Sequence, residues 1–230
     1  MQENCKINRK FIIYFRVKKE EVIEALYKAD IIKTLNCPQC GDVLDIHFKW
    51  TKLTQCPSCK SSIFLEDASV KLIGESSVLS PEPSLLKIHD PITIENKNYL
   101  PLGKIRYSYG RGFWEEWFLK GEKNREFWLS IDEGDFALQE RVAVSLPFKS
   151  PRIVKAGKSY GLYVATEVGK GVCVGFEGEL PLPIQIDQTY HYIHLSRGGG
   201  ELVTVEFIDD KIETFNGKWI DPLSIKRVYS

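Results

Sequence analysis

The chain has 230 residues, of which 43% are hydrophobic and 12% aromatic, enough for one large domain or two small ones with a true core. Its 31 basic residues balance 31 acidic ones, which excludes a global electrostatic pull toward nucleic acid or anionic lipid. No run approaches the ~20 apolar residues of a membrane span and no leader pattern opens the chain, so no transmembrane segment and a cytoplasmic location are expected.

In chain order, residues 10–16 are β-branched and aromatic and predict a strand. Residues 18–30 place Val22, Ile23, Leu26 and Tyr27 at helical spacing and predict a helix of about three turns. Together residues 1–35 form an N-terminal strand-helix segment.

Residues 36–75 hold the strongest signal. Cys37-Pro38-Gln39-Cys40 and Cys56-Pro57-Ser58-Cys59 are two tight Cys-x-x-Cys knuckles at the spacing of a four-cysteine metal site. Four thiolates suit one structural Zn2+ in a closed tetrahedral shell, which leaves no open position for catalysis. Gly41 follows the first knuckle, where a positive backbone angle is often needed. Leu44, Ile46, Phe48 and Trp50 alternate with Asp45, His47 and Lys49, predicting a half-buried strand, with residues 61–66 as its partner. His47 points off the apolar face and is expected to be exposed. The ribbon carries five acids against four bases and has no basic stripe, so nucleic-acid binding is only the alternative function. Cys5 and Cys173 are left as free thiols, Cys173 as a small core residue.

Residues 76–91, rich in Ser and Pro, read as a linker. From residue 92 to 230 short strands recur with turn signals between them: 98–108, 113–119, 126–131, 135–139, 159–166, 171–177, 190–195, 201–208 and 211–215. The expected turns include Gly169-Lys170-Gly171, Gly198-Gly199-Gly200, Asp209-Asp210 and Asn216-Gly217. This pattern predicts an antiparallel β sandwich or barrel-like domain, with two halves divided near 145–158 as one option. The fold class is thus mainly β, a zinc ribbon ahead of an antiparallel β domain, with one short N-terminal helix.

Several weaker constellations carry no chemistry. His191 and His194 are three apart in an extended segment and face opposite ways, so they cannot share an ion. The glycines at 198–200 lack the Lys-Ser/Thr of a phosphate loop. Glu115 and Glu116 are adjacent in a strand and are expected to face opposite ways into solvent.

The segment 113–119, with Trp114, Glu115, Glu116 and Trp117, followed by Phe127-Trp128-Leu129 and Gly134-Asp135-Phe136, reads as an aromatic three-stranded meander. One of Trp114 and Trp117 is expected in the core and the other partly exposed beside its acid, with Trp128 against the same core. These motifs, with Gly103-x-Ile105-x-Tyr107, Gly178-Glu179-Leu180-Pro181 and the Glu213 to Ile220 element, resemble the bacterial family called domain of unknown function 4178 over residues 88–228. Leu182 stands where that family usually has Trp. The resemblance implies no enzymatic activity and an accessory role in a membrane-stress-associated system. The expected function is therefore a non-enzymatic zinc-binding adaptor. Its β domain would dock a protein partner through Trp114, Glu115, Glu116, Trp117 and Trp128, with any membrane association peripheral and through that partner. An enzyme with an unrecognised site is the third alternative.

Overall fold

The computed structural model describes residues 31–66, 69–72, 79, 84–208 and 211–228. The strand and helix expected before residue 31, Cys5 and the Asp209-Asp210 turn lie outside the described residues.

Each knuckle is framed by short antiparallel strands. β1 (Lys33–Asn36) pairs with β2 (Val43–Ile46) around the first knuckle, while β3 (Leu53–Gln55), β4 (Ser62–Glu66) and β5 (Ser69–Leu72) form a meander around the second. The sequence suggested one strand running to Trp50 and pairing with residues 61–66. Instead β2 stops at Ile46, and β4 pairs with β3 and β5. Phe48 is fully buried, but in the neighbouring barrel rather than in the ribbon, and Trp50 is left exposed. The alternation registered the burial of Phe48 correctly and assigned it to the wrong core.

The rest of the described chain consists of β6 (Ile92–Ile94), β7 (Lys97–Ser108), β8 (Phe113–Lys120), β9 (Glu126–Asp132), β10 (Asp135–Arg141), β11 (Ser159–Tyr160), β12 (Tyr163–Leu180), β13 (Thr189–Arg197), β14 (Glu201–Ile208), β15 (Lys211–Trp219) and β16 (Ile225–Arg227). All of their pairings are antiparallel. The order β7-β8-β9-β10-β15-β14-β13-β12 returns to β7, giving a closed eight-stranded barrel. Closure leaves the barrel strands no free edge. An eight-stranded barrel has an interior wide enough for packed side chains or one small ligand.

Two expected turns lie inside strands. Gly169-Lys170-Gly171 is part of β12, which runs unbroken over 18 residues, and Asn216-Gly217 is part of β15. The β12 glycines are seats for aromatic rings. A Cβ on Gly171 would sit 2.0 Å from the Trp114 ring, and one on Gly169 would sit 2.4 Å from Tyr192. The small residues needed for ring contact mimicked a turn signal.

Alternation along each strand sorts side chains into the barrel or outside it. Trp114 and Phe118 of β8 face inward with Tyr107, Trp128, Tyr190 and Phe215. Trp117 and Leu119 face outward into a second cluster with Ile92, Ile94, Leu129 and Ile220, so the chain around β6 and after β15 forms an outer layer over β7–β10. A third cluster covers the outside of β13 and β14, where Phe148 and Val154 pack on Ile193, Leu195, Val203 and Val205.

The ribbon closes one end of the barrel. Leu53 and Thr54 of β3 pair with Leu180 and Glu179 at the end of β12. Phe48 and Leu53 enter the same core as Phe118 and Leu180, with the Phe48 and Phe118 rings 5.1 Å apart and edge-on. Trp114 lies four residues before Phe118 on the same face of β8, and it lines the opposite, open end.

Candidate metal centre and barrel cavity

The four cysteines meet as their spacing predicts. Sγ of Cys37 lies 3.6 Å from Sγ of Cys59, and Sγ of Cys40 lies 3.7 Å from Sγ of Cys56. Thiolates bound tetrahedrally at about 2.3 Å from one ion stand ~3.8 Å apart, so the cluster is a possible metal site of the right size. The two knuckles share one backbone geometry. Gly41 N donates to Cys37 O at 2.8 Å, and Lys60 N donates to Cys56 O at 2.9 Å. Gly41 and Lys60 both adopt positive φ, 79° and 62°, which glycine tolerates freely and lysine does not. The Ser58 hydroxyl donates to the Asp42 carboxylate and ties one knuckle to the other.

A carboxylate latch joins the ribbon to the barrel. Glu179 is 2% exposed. It accepts the backbone N–H of His47 at 3.0 Å and of Phe48 at 3.2 Å, and the Thr51 hydroxyl at 2.8 Å. Nδ1 of His47 lies 2.8 Å from the same carboxylate, so His47 is turned inward rather than exposed as its place in the sequence suggested. His89 joins His47 and Glu179 in a group whose ligand atoms lie within 4.8 Å of one another. The Glu179 oxygens are already engaged by these donors, and Lys120 Nζ donates to His47 O at 3.4 Å. The group therefore works as a latch that holds Phe48 in the barrel floor.

At the other end the barrel interior opens into a cavity of about 80 Å³, room for a few waters or one small polar group. Its aromatic wall is Tyr107, Trp114, Tyr190, Tyr192 and Trp219. Trp114 stacks on Tyr107 at 5.0 Å and meets Tyr192 edge-on at 5.3 Å. Five carboxylates line the same space: Glu116, Asp132, Asp135, Glu167 and Glu206. Among the described residues, no lysine or arginine lines it.

These acids differ in their partners. Glu167 accepts from Tyr192 Oη at 2.7 Å and lies 3.0 Å from His194 Nδ1, and those hydrogen bonds hold its pKa below the usual carboxylate range. Burial pushes Glu116 up to about 7, against hydrogen bonds from Ser130 and Trp114. Burial, reinforced by the Glu116 and Glu213 charges, pushes Glu206 up to about 8. Burial also raises Asp132. Thr204 is 4% exposed and its Oγ1 has no hydrogen-bond partner, nor does Asp132 Oδ1. Buried polar atoms are almost always satisfied, by protein, by ordered water or by a ligand.

A deeper chamber of about 20 Å³ shares Tyr107, Glu116 and Glu206 with this cavity and continues between Ile105, Leu182, Ile208 and Phe215, with Trp128 and Gln139 also on its wall. Leu182, where the family resemblance leads one to expect Trp, lines this chamber.

Glu115 and Glu116 do face opposite ways, but neither is simply solvated. Glu115 is buried under the outer layer, where Arg106 Nη2 donates at 2.7 Å, Trp117 Nε1 at 3.0 Å and Ser84 Oγ at 3.0 Å. Trp117 is 1% and Trp114 8% exposed, so the expectation that one of them is partly exposed is not met. The reason is the two-sided burial of β8. Trp128 packs in the inner core as expected. His194 reaches the cavity while His191 on the next strand face is exposed. Sequence reasoning missed Thr204, Glu206, Glu179 and Trp219. In the run 201–208 the polar positions 204 and 206 alternate with apolar ones, a pattern that reads equally well as a solvent face.

A family model described as Domain of unknown function (DUF4178) matches residues 87–222. The chain belongs to the DUF4178 family. The match spans the barrel and its outer layer, and it begins after the four-cysteine ribbon. No curated protein and no solved structure matches the chain. Among the described residues of this DUF4178 protein, no helix is long and apolar enough to cross a membrane.

Proposed function

We propose that this DUF4178 protein is a non-enzymatic accessory protein of the cytoplasm, whose barrel cavity receives a small molecule and whose ribbon is held by one structural zinc ion. The observation that carries the reading is the cavity itself: concave, aromatic, and lined by the orphaned polar atoms Thr204 Oγ1 and Asp132 Oδ1. Such convergence of apolar wall and unsatisfied polar groups is what small-molecule sites share. The aromatic strand then serves the cavity and the outer layer rather than an exposed docking face. Zinc is favoured for the ribbon because four thiolates at tetrahedral spacing form a closed shell, and the cytoplasm keeps such thiols reduced.

Ligand-observed NMR against a mixed panel of small cations, neutral molecules and anions tests the reading. At least one class should bind the wild type and lose binding in Thr204→Leu, which fills the cavity. Absence of binding by every class, or binding that ignores the cavity-filling change, would overturn it.

One observation favours a second reading. Glu116 and Glu206, held near about 7 and about 8, have the pKa values that general acid–base chemistry at neutral pH requires. Time-dependent conversion of a bound panel member, lost in Glu116→Gln, would select an enzyme over a binding protein.

A further inference from the structure

We infer that the ligand of this cavity is a small organic ammonium ion bearing a short apolar chain, with its charged head between the Glu116 and Glu206 carboxylates and its chain against the aromatic wall. The inference rests on the reading of the cavity as a ligand site and names the chemistry that the site selects.

Three independent features converge. The first is charge: among the described residues, five carboxylates and no lysine or arginine line the cavity. Ionised acids repel anions, and a cation is the guest that stabilises the buried acids in their charged form. The second is the wall. Indole and phenol rings attract cations through their quadrupoles, with indole the strongest, and Trp114, Tyr192 and Trp219 surround the mouth. The third is the polar atoms left over. Thr204 Oγ1 and Asp132 Oδ1 have no partner, and an ammonium group brings up to three donors for such oxygens. Beyond Glu116 and Glu206 the interior narrows to about 20 Å³ between Ile105, Leu182, Ile208 and Phe215, where Gln139 Oε1 and Trp128 Nε1 also lack a protein partner; that is room for one water and not for the chain.

The cavity also sets a pH dependence. Facing the two glutamates are Tyr107 from β7, Asp132 from β9, Asp135 from β10, Glu167 from β12 and Tyr190, Tyr192 and His194 from β13. Glu213 of β15 acts on Glu206 electrostatically, and so does Arg141 of β10, which is bridged to Glu213 at 3.0 Å. His194 is engaged with Glu167 at 3.0 Å. With no lysine or arginine among the described residues on the wall, the buried acids hold protons near neutrality, and an ammonium ion displaces them. Affinity therefore rises with pH through the neutral range, by up to about tenfold per pH unit for each proton released.

Calorimetric titration with butylammonium, 1-butanol and butyrate tests this. Butylammonium should bind at least roughly tenfold tighter than its neutral and anionic counterparts. Its affinity should rise from about pH 6 to about pH 8, with proton release visible as a buffer-dependent heat. Glu116→Gln and Glu206→Gln keep the side-chain shape and should each weaken binding roughly tenfold. Trp219→Ala, at a half-exposed mouth position, should weaken it several-fold without harming the fold. Equal binding of 1-butanol, or affinity untouched by both glutamine variants, would overturn the ammonium assignment. Binding of only a neutral or anionic probe, abolished by Thr204→Leu, would overturn the ammonium assignment and leave the cavity standing. No binding of butylammonium overturns it too, and the mixed panel then decides whether the cavity reading falls with it.

Discussion

Glu115 and Glu116 are consecutive in one strand and have opposite electrostatic surroundings. Burial alone would raise the pKa of Glu115, but the Arg106 hydrogen bond and the Lys104 charge overcome it and hold that carboxyl below its ordinary range. Glu116, on the other face, looks into a cavity that no lysine or arginine among the described residues lines, and burial pushes it up to about 7. One residue of strand alternation separates a structural ion pair from a carboxylate kept in reserve.

That contrast gives stability a pH signature. Glu116 and Glu206 move from 4.5 to about 7 and about 8 on folding. Folded-state pKa values above the unfolded ones mean that the folded chain keeps protons the unfolded chain has lost. Their contribution is full below about pH 4.5 and declines as pH rises through the folded values. Glu115 runs the other way: its contribution is present above the unfolded pKa and is lost as pH falls through the depressed folded one. Glu206→Gln should therefore melt higher than wild type at about pH 8.5, with the gap narrowing steadily toward about pH 5. Thermal melts at the two pH values check it, and a gap independent of pH would contradict the buried-acid assignment.

The two indoles of β8 should prove equally structural. Trp114 fills the inner core and Trp117 the outer cluster, 8% and 1% exposed. Truncation of either to Ala should cost about 3–5 kcal/mol. Denaturant unfolding measures both. A near-neutral Trp114→Ala would instead restore the partly exposed tryptophan that the sequence suggested.

Glu179 should behave as the latch between ribbon and barrel. Glu179→Ala leaves the His47 and Phe48 N–H groups without their acceptor, while the Thr51 hydroxyl keeps Phe48 O at 2.9 Å, a loss on the order of 2–3 kcal/mol. Hydrogen exchange should show the amides of residues 47–55 losing protection together, while the β13–β14 pairing keeps its own. Unchanged exchange in residues 47–55 would dismiss the latch.

Protein purified without added metal should carry about one zinc per chain. Because Phe48 and Leu53 sit in the barrel core, chelation or Cys56→Ser should lower the melting temperature of the barrel as well as unfold the ribbon. A barrel melt indifferent to the metal would show that the floor is held without it.

How much of this was legible beforehand follows from how local each signal is. The knuckles were readable because a Cys-x-x-Cys turn carries its geometry within four residues, and the hairpins at 133–134 and 198–200 because a short turn does the same. Barrel closure depends on β10 meeting β15 and β7 meeting β12, pairings between distant segments that no local pattern encodes. The role of Glu179, 132 positions from His47, is of the same kind. The cavity was hidden for a different reason. Thr204 and Glu206 alternate with Val203, Val205 and Phe207 as they would on a half-exposed strand, but the outer face is covered by Phe148 and Val154. With the apolar residues packed outward, the polar ones face the interior. Gly169 and Gly171 were misread because a seat for a ring and a turn ask for the same residue.

The central claim is that the open end of the barrel is where this protein meets its ligand, and the indole N–H signals of the five tryptophans report on it site by site. A titration with butylammonium, followed in the two-dimensional spectrum of nitrogen-labelled protein and assigned by single Trp→Phe changes, should move the signals of Trp114 and Trp219, which line the cavity. Trp50 on the ribbon surface and Trp117 under the outer layer should stay in place. Shifts confined to Trp50, or no shift of Trp114 at saturating probe, would contradict the account.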